Sequence, residues 1–237
     1  MNIKLVHASI SENGDSGWNG KSKAGDQTGK EVCMRSWYSK PWNVLIRYPN
    51  NNIAVKASSA AVQLANSSLV GYDQSQRNTL YQELRKNGFD VDKYIASGVN
   101  TECDCSSFIY AVYSCFIPEM RSNNNAPRTA TMKTDFKKWG FELYYSESLL
   151  NGKGVLIGDI MVREGSHTAM VTDGKIITPE PVKMIDIPDY GIDVSNAINI
   201  IAEDVIKGNW GNGNDRKEKL YVAIQTRVNE LWRIGVH

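Results

Sequence analysis

Histidine, cysteine and any surplus of charge are scarce in this chain of 237 residues. Four cysteines, Cys33, Cys103, Cys105 and Cys115, are too few to staple a chain of this length, so a disulfide framework is not expected. The closest two, Cys103 and Cys105, are separated by one residue, and zinc sites need four ligands at wider spacing, so no metal or other cofactor is expected. Lys and Arg total 27 against 26 Asp and Glu, and the charges are mixed along the chain, which leaves no basic stripe for a nucleic acid. No apolar run approaches the roughly 18 residues a membrane span needs, and the N-terminus lacks the basic-then-apolar layout of a secretory signal. The expectation is a soluble protein made in a cytoplasm, with neither membrane nor nucleic acid as partner. Enough is present for a core, since 41% of residues are hydrophobic, and the length suits one full domain and one small one.

The chemistry concentrates in Thr101-Glu-Cys-Asp-Cys-Ser-Ser-Phe-Ile-Tyr110. Apolar residues at Phe108, Ile109, Val112, Cys115 and Phe116 follow the stripe of a buried helix. Asp104 stands at its N-cap, able to accept the backbone N–H of Ser106 or Ser107, and Cys105 falls in the first turn. There the positive end of the helix favours thiolate, which predicts a thiol more acidic than the free value of about 8.5. Cys103 lies outside the helix, and Cys115 is most simply core.

A thiolate needs a base, and the histidines are only His7, His167 and His237. His167 opens a segment that reads as a hairpin turning at Asp173-Gly174, and counting outward places Glu180 opposite His167 on the same side of the sheet. A Cys105, His167, Glu180 set follows from pattern. Pro179 and Pro181 cannot donate ladder hydrogen bonds, so Thr178 or a group from elsewhere stays open as the residue that orients the imidazole.

Asp104-Cys105-Ser-Ser-Phe108 at a helix start, with Gly158-Asp-Ile160 and Ser166-His-Thr-Ala-Met-Val171 on strands, resembles the NlpC-type cysteine peptidases of the papain-like class. The resemblance implies an α+β fold, Cys105 as nucleophile, His167 as base, and a variable polar third residue with which Glu180 is compatible. It also implies an oxyanion hole from an upstream tyrosine, for which Tyr72 in Gly71-Tyr-Asp-Gln74 is the candidate, and from the helix start at Asp104 and Ser106. The N-terminal block, Lys23-Ala-Gly-Asp-Gln-Thr-Gly-Lys30 with Arg35-Ser-Trp-Tyr38, is similar to one found in phage-encoded members. Asp26, Gln27 and Trp37 are candidate groove residues there, and His7 is a candidate supporting partner.

After Pro181 the pattern changes. Ile198, Ile201, Ala202 and Val205 share a helix face, Gly208 stops it, and a Gly- and Asn-rich turn leads into a last helix through Ile224, Val228 and Leu231. The run Gly208-Asn-Trp-Gly-Asn-Gly-Asn214 with Asp215, Arg216 and Lys217 resembles the CW-seven cell-wall-binding repeat. That resemblance implies binding to Gram-positive peptidoglycan without choline, with Asp215, Arg216 and Asn229 as ligand contacts; Trp210 is read as packing inside the small bundle, with an aromatic platform as the alternative. The unit is shorter than its relatives between Leu220 and Gln225, and a module near 40 residues seldom folds alone, so self-association or packing on the first domain is expected. The expected division is a catalytic domain 1–182, a linker 183–195 and a small helical bundle 196–237; Met184 in the linker is a candidate internal start.

Two resemblances in different halves agree on one substrate. Together they imply a phage endolysin that cuts a peptidoglycan stem-peptide bond, between D-glutamate and the diamino acid as endopeptidase or, alternatively, as an N-acetylmuramoyl-L-alanine amidase. A wall-binding protein with an inactive domain is the reading from another class. The resemblance also implies storage in the host cytoplasm and release through a holin pore.

Overall fold

The computed structural model describes residues 3–18, 20–174 and position 203. The chain divides into two units, Met1–Pro179 and Glu180–His237. Glu180, Asp215, Arg216, Asn229, Trp210, Met184 and the expected helical bundle lie outside the described residues.

The first unit mixes six α-helices with an antiparallel six-stranded sheet among the described residues. In chain order the elements are β1 (Lys4–Ala8), β2 (Val32–Ser36), β3 (Val44–Arg47), α1 (Asn51–Asn66), β4 (Val70–Tyr72), α2 (Thr79–Lys86), α3 (Val91–Ser97), β5 (Thr101–Cys103), α4 (Cys105–Ser114), α5 (Met132–Lys138), β6 (Glu142–Tyr144), α6 (Glu147–Leu150), β7 (Ile160–Arg163) and β8 (His167–Asp173). The sheet runs β2-β1-β8-β7-β3-β6, and β4 and β5 form a separate parallel pair. No helix among the described residues is long and apolar enough to cross a membrane.

The central strands are buried on both faces, so they read as continuous apolar runs rather than alternating ones. Val6, Val44, Ile46, Ile160, Val162 and Met170 point into the main core, which α1 and α4 close with Ala57, Ala61, Leu64, Phe108, Ile109 and Val112. Leu5, Leu45, Met161, Ala169 and Val171 point the other way, into a smaller cluster with Trp42 and Val155. Helix α1 begins where Asn50 accepts the N–H groups of Asn52 and Ile53, and its alanine-rich side lets backbone approach backbone. At Gly158, φ is +87° and an added Cβ would fall 2.7 Å from both Ala54 Cβ and Ala54 O. Asp159, next in chain, fixes that crossing by accepting two bonds from Arg47, at 2.7 and 2.6 Å, and one from the N–H of Leu156 at 2.7 Å.

The hairpin expected at Asp173-Gly174 is corrected. Strand β8 pairs with β7 on one edge, in the register Arg163↔His167, and with β1 on the other. The position opposite His167 is therefore held by Arg163, and the turn that sets it is Glu164-Gly165-Ser166. A tertiary partner from the chain's N-terminus claims the edge that local turn chemistry offered to the following segment.

Candidate active site

Cys105 is the first residue of α4, and the cap behind it is more elaborate than one hydrogen bond. Asp104 Oδ1 accepts the Ser107 N–H at 2.7 Å while Ser107 Oγ accepts the Asp104 N–H at 2.8 Å, a reciprocal capping box. Arg77 then clamps the cap. Its guanidinium donates to Asp104 Oδ2 at 2.6 Å and Oδ1 at 3.2 Å, to Ser106 Oγ at 2.9 Å, and to the carbonyls of Ala126 and Pro127 at 2.8 and 2.9 Å. All five bonds leave a planar fork that lysine could not reproduce. The helix head is thereby rigid.

The sulfur of Cys105 has the backbone N–H groups of Ser106 and Thr168 against it, so it sits on β8 beside the residue that follows His167. The second histidine completes the surroundings. His167 Nε2 lies 2.9 Å from Tyr38 Oη and 3.2 Å from His7 Nδ1, and those two atoms are 2.8 Å apart. Extending the β1–β8 register from Val6↔Met170 sets His7 beside Ala169, diagonal to His167 on the same face. Trp42 stacks on the His167 ring with centroids 6.1 Å apart and planes 25° from parallel. With Nε2 occupied, Nδ1 is the imidazole nitrogen left for another partner.

Electrostatics corrects the expected acidic thiol. Cys105 is 7% exposed, and burial followed by the neighbouring Asp104 carboxylate pushes its pKa up to about 12, against the pull of the Thr168 and Ser106 N–H groups and Arg77. Burial, then His7 and Lys40, lowers His167 to about 3, and burial with Arg35 and Lys40 lowers His7 to about 4. Both side chains therefore rest neutral at pH 7. The helix end exerts its pull, but a desolvated sulfur beside a carboxylate outweighs it.

A groove of about 320 Å³ opens over Cys105, lined by Trp18, Gln74, Arg77, Arg128, Thr129 and Ser166 among others. Arg128 lies over the Trp18 ring, its guanidinium carbon 5.9 Å from the centroid. Tyr72 borders the site: its phenol accepts from Gln74 Nε2 at 3.0 Å, and after burial the largest influence on it is Cys105. With its oxygen accepting from Gln74, the phenol can turn its own hydrogen outward. Asp26, Gln27 and Trp37 are not part of this lining. Asp26 and Gln27 close a local turn, and Trp37 packs near Ile3 and Gly152. Another depression, of about 390 Å³, is lined by Lys56, Gln63, Phe89, Asp90, Asp92 and Phe116 and contains neither thiol nor imidazole.

Sequence reasoning missed Tyr38, Arg77, Trp18, Trp42 and Arg128. Tyr38 stood in a quoted block, but only the β1–β2 pairing brings that block to the histidine.

A cysteine at the head of a buried helix, with a groove open above it and a histidine on the adjoining strand, lies in a domain of mixed α and β structure. Residues 5–176 match the endolysin-like domain, so the chain belongs to that family, and residues 199–232 match the CW_7 repeat. The two together point to a peptidoglycan-hydrolysing enzyme that binds cell wall. No curated protein and no solved structure matches the chain.

Proposed function

We propose that this protein is a cysteine-dependent peptidoglycan hydrolase of papain-like, NlpC type that cuts a stem-peptide bond. The observation that carries the reading is the position of the Cys105 sulfur on the β8 backbone next to His167, while Tyr38 and His7 hold the far nitrogen of that imidazole. Both groups start neutral, so His167 acts as a general base. Its Nδ1 takes the thiol proton as sulfur bonds to the carbonyl carbon, and the resulting imidazolium donates from Nε2 to Tyr38 Oη, whose hydrogen turns to His7 Nδ1. The Tyr72 hydroxyl and N–H groups at the α4 head receive the oxyanion. The C–N bond breaks as the imidazolium proton passes to the leaving amine. Water, losing a proton to His167, then hydrolyses the thioester and restores the thiol.

In this mechanism the orienting role assigned by pattern to Glu180 falls to Tyr38 and His7. The CW_7 repeat, with Asp215, Arg216 and Asn229 as its wall contacts, concentrates the enzyme on Gram-positive peptidoglycan, and self-association through that repeat, with or without a product starting at Met184, would raise its avidity. Storage in a host cytoplasm and release to the wall belong to the same proposal.

Digestion of purified Gram-positive walls tests it. Wild type should release fragments and Cys105→Ser should not, while still pelleting with walls. Mass spectrometry of the products identifies the bond: a new amine on the diamino acid marks an endopeptidase, a freed L-alanine amine an amidase. Full activity of Cys105→Ser would refute the thiol mechanism.

A further inference from the structure

The groove over Cys105 is lined by two arginines, and the cap of α4 engages only one of them. Arg77 commits its donors to Asp104, Ser106 and the carbonyls of Ala126 and Pro127, and the Asp104 carboxylate is filled in return by Arg77, the Ser106 hydroxyl and the Ser107 N–H. The acid of the groove is thereby neutralised. Arg128 is different: its side chain is exposed, and among the described residues its guanidinium makes no hydrogen bond or ion pair, only the contact with the Trp18 ring.

Both residues stand on anchored backbone. The two carbonyls that Arg77 grips belong to the residues just before Arg128, and the Arg128 carbonyl accepts the N–H groups of Thr131 and Met132 at 2.8 and 2.9 Å. One guanidinium therefore fixes both the helix head that carries Cys105 and the base of Arg128. Just before Trp18, the Ser16 carbonyl accepts the Gln74 N–H at 3.1 Å and the Gly17 carbonyl accepts the Ser75 hydroxyl at 3.3 Å, yet Trp18 itself is 57% exposed. An indole left in water beside a cation without a counter-ion adds little to the fold. Together they suit an anionic ligand, because the ring attracts the guanidinium and takes none of the five N–H donors whose fork matches a carboxylate bidentately.

We propose that Arg128, backed by Trp18, binds a free carboxylate of the stem peptide beside the bond that Cys105 attacks, and so makes the enzyme selective for acid over amide forms of the wall. The inference rests on the hydrolase reading of this groove. A stem peptide offers that group from two sources. D-Glutamate joined through its side-chain carboxyl retains an α-carboxylate, and the diamino acid and the peptide terminus carry the others. Conversion to a carboxamide keeps the shape and removes the charge, leaving Arg128 with a ligand that cannot neutralise it.

The test compares three soluble muropeptides: unmodified, amidated at the glutamyl α-carboxylate, and amidated at the remaining carboxylates. One of the two amidations should lower the wild-type kcat/KM about 10- to 100-fold, chiefly through KM, as expected when a hydrogen-bonded charge pair is lost, and the form that responds identifies the source. Arg128→Met should lose most of that preference, and Arg128→Lys, which keeps the charge without the fork, should retain part of it. Calorimetric titration of the same muropeptides into Cys105→Ser, with and without Arg128→Met, reads the preference without any cleavage. A preference for the acid in that titration that disappears with Arg128→Met, alongside a wild type that cleaves nothing, would uphold the role of Arg128 and refute the hydrolase reading. Equal wild-type kcat/KM on all three forms, or the same preference in wild type and Arg128→Met, would overturn the proposal and leave the hydrolase reading standing.

Discussion

Lowering the pH from 7 to 5 should barely change the enzyme's kcat/KM. An imidazole at its ordinary pKa of 6.5 would be about 97% protonated at pH 5, and a reaction needing it as base would slow about 25-fold from its rate at pH 7. His167 is held at about 3 by burial first, then by His7 and Lys40, and at pH 5 it remains almost wholly neutral. The acid limb should therefore appear only below about pH 4, where His7, at about 4, also begins to charge. At the alkaline end the thiol, pushed up to about 12, gives no gain in rate as pH rises to 9. The assay is cleavage of a soluble muropeptide, followed by chromatography at low substrate so that the profile reports the free enzyme, with circular dichroism confirming the fold at each pH. A half-maximal rate near pH 6.5 would refute the reasoning, because it would mean that the imidazole is solvated or already paired with a thiolate.

Tyr38→Phe removes a hydrogen bond to a developing imidazolium, worth about 1.5–3 kcal/mol, so kcat should fall about tenfold or more with KM unchanged, since Tyr38 does not line the groove; an unaltered kcat would exclude it from the mechanism. Arg77→Met strips one partner from an ion pair whose side chains are 11% and 12% exposed and should cost about 3–5 kcal/mol in denaturant unfolding; a loss under about 1 kcal/mol would show that the cap holds without its clamp. Gly158→Ala adds a clash with Ala54 to a positive φ and should cost about 2–4 kcal/mol, whereas Gly165→Ala, at φ +71° in open space, should cost only about 1 kcal/mol; equal losses would mean that strain, not crowding, decides. Protein stability should also carry the signature of buried His7 and half-buried His167. Their folded pKa values lie below 6.5, so the unfolded chain takes up protons first and each histidine removes up to about 1.4 kcal/mol per pH unit as pH falls from 6.5 toward 4; His7→Phe should flatten that slope in urea unfolding, and an unchanged slope would count against it.

The head of α4 was legible because all its determinants are local. An aspartate, a cysteine and an apolar stripe within a dozen residues specify cap, first turn and buried face, and α4 begins at Cys105 with Asp104 as its cap. Helix α1 rests on equally local determinants, an Asn50 cap and an alanine-rich run through to Asn66. The hairpin at Asp173-Gly174 failed because turn chemistry only proposes a partner. Strand β8 instead pairs with β1, more than 160 residues earlier, and with β7 through a turn just before it. His7 was visible as a scarce residue but carried no signal of its destination, and Tyr38 was one aromatic among many.

By itself the sequence determined which groups are available: one thiol at a helix start, three histidines, and the family to which residues 5–176 belong. Only the tertiary structure decided how those groups behave. Register across β1 and β8 brings His7 to His167, the β1–β2 pairing brings Tyr38 there, and enclosure by the surrounding core makes the thiol weakly acidic and both imidazoles neutral. Helix periodicity is written within a few residues, whereas desolvation and close approach depend on everything the chain packs around a group.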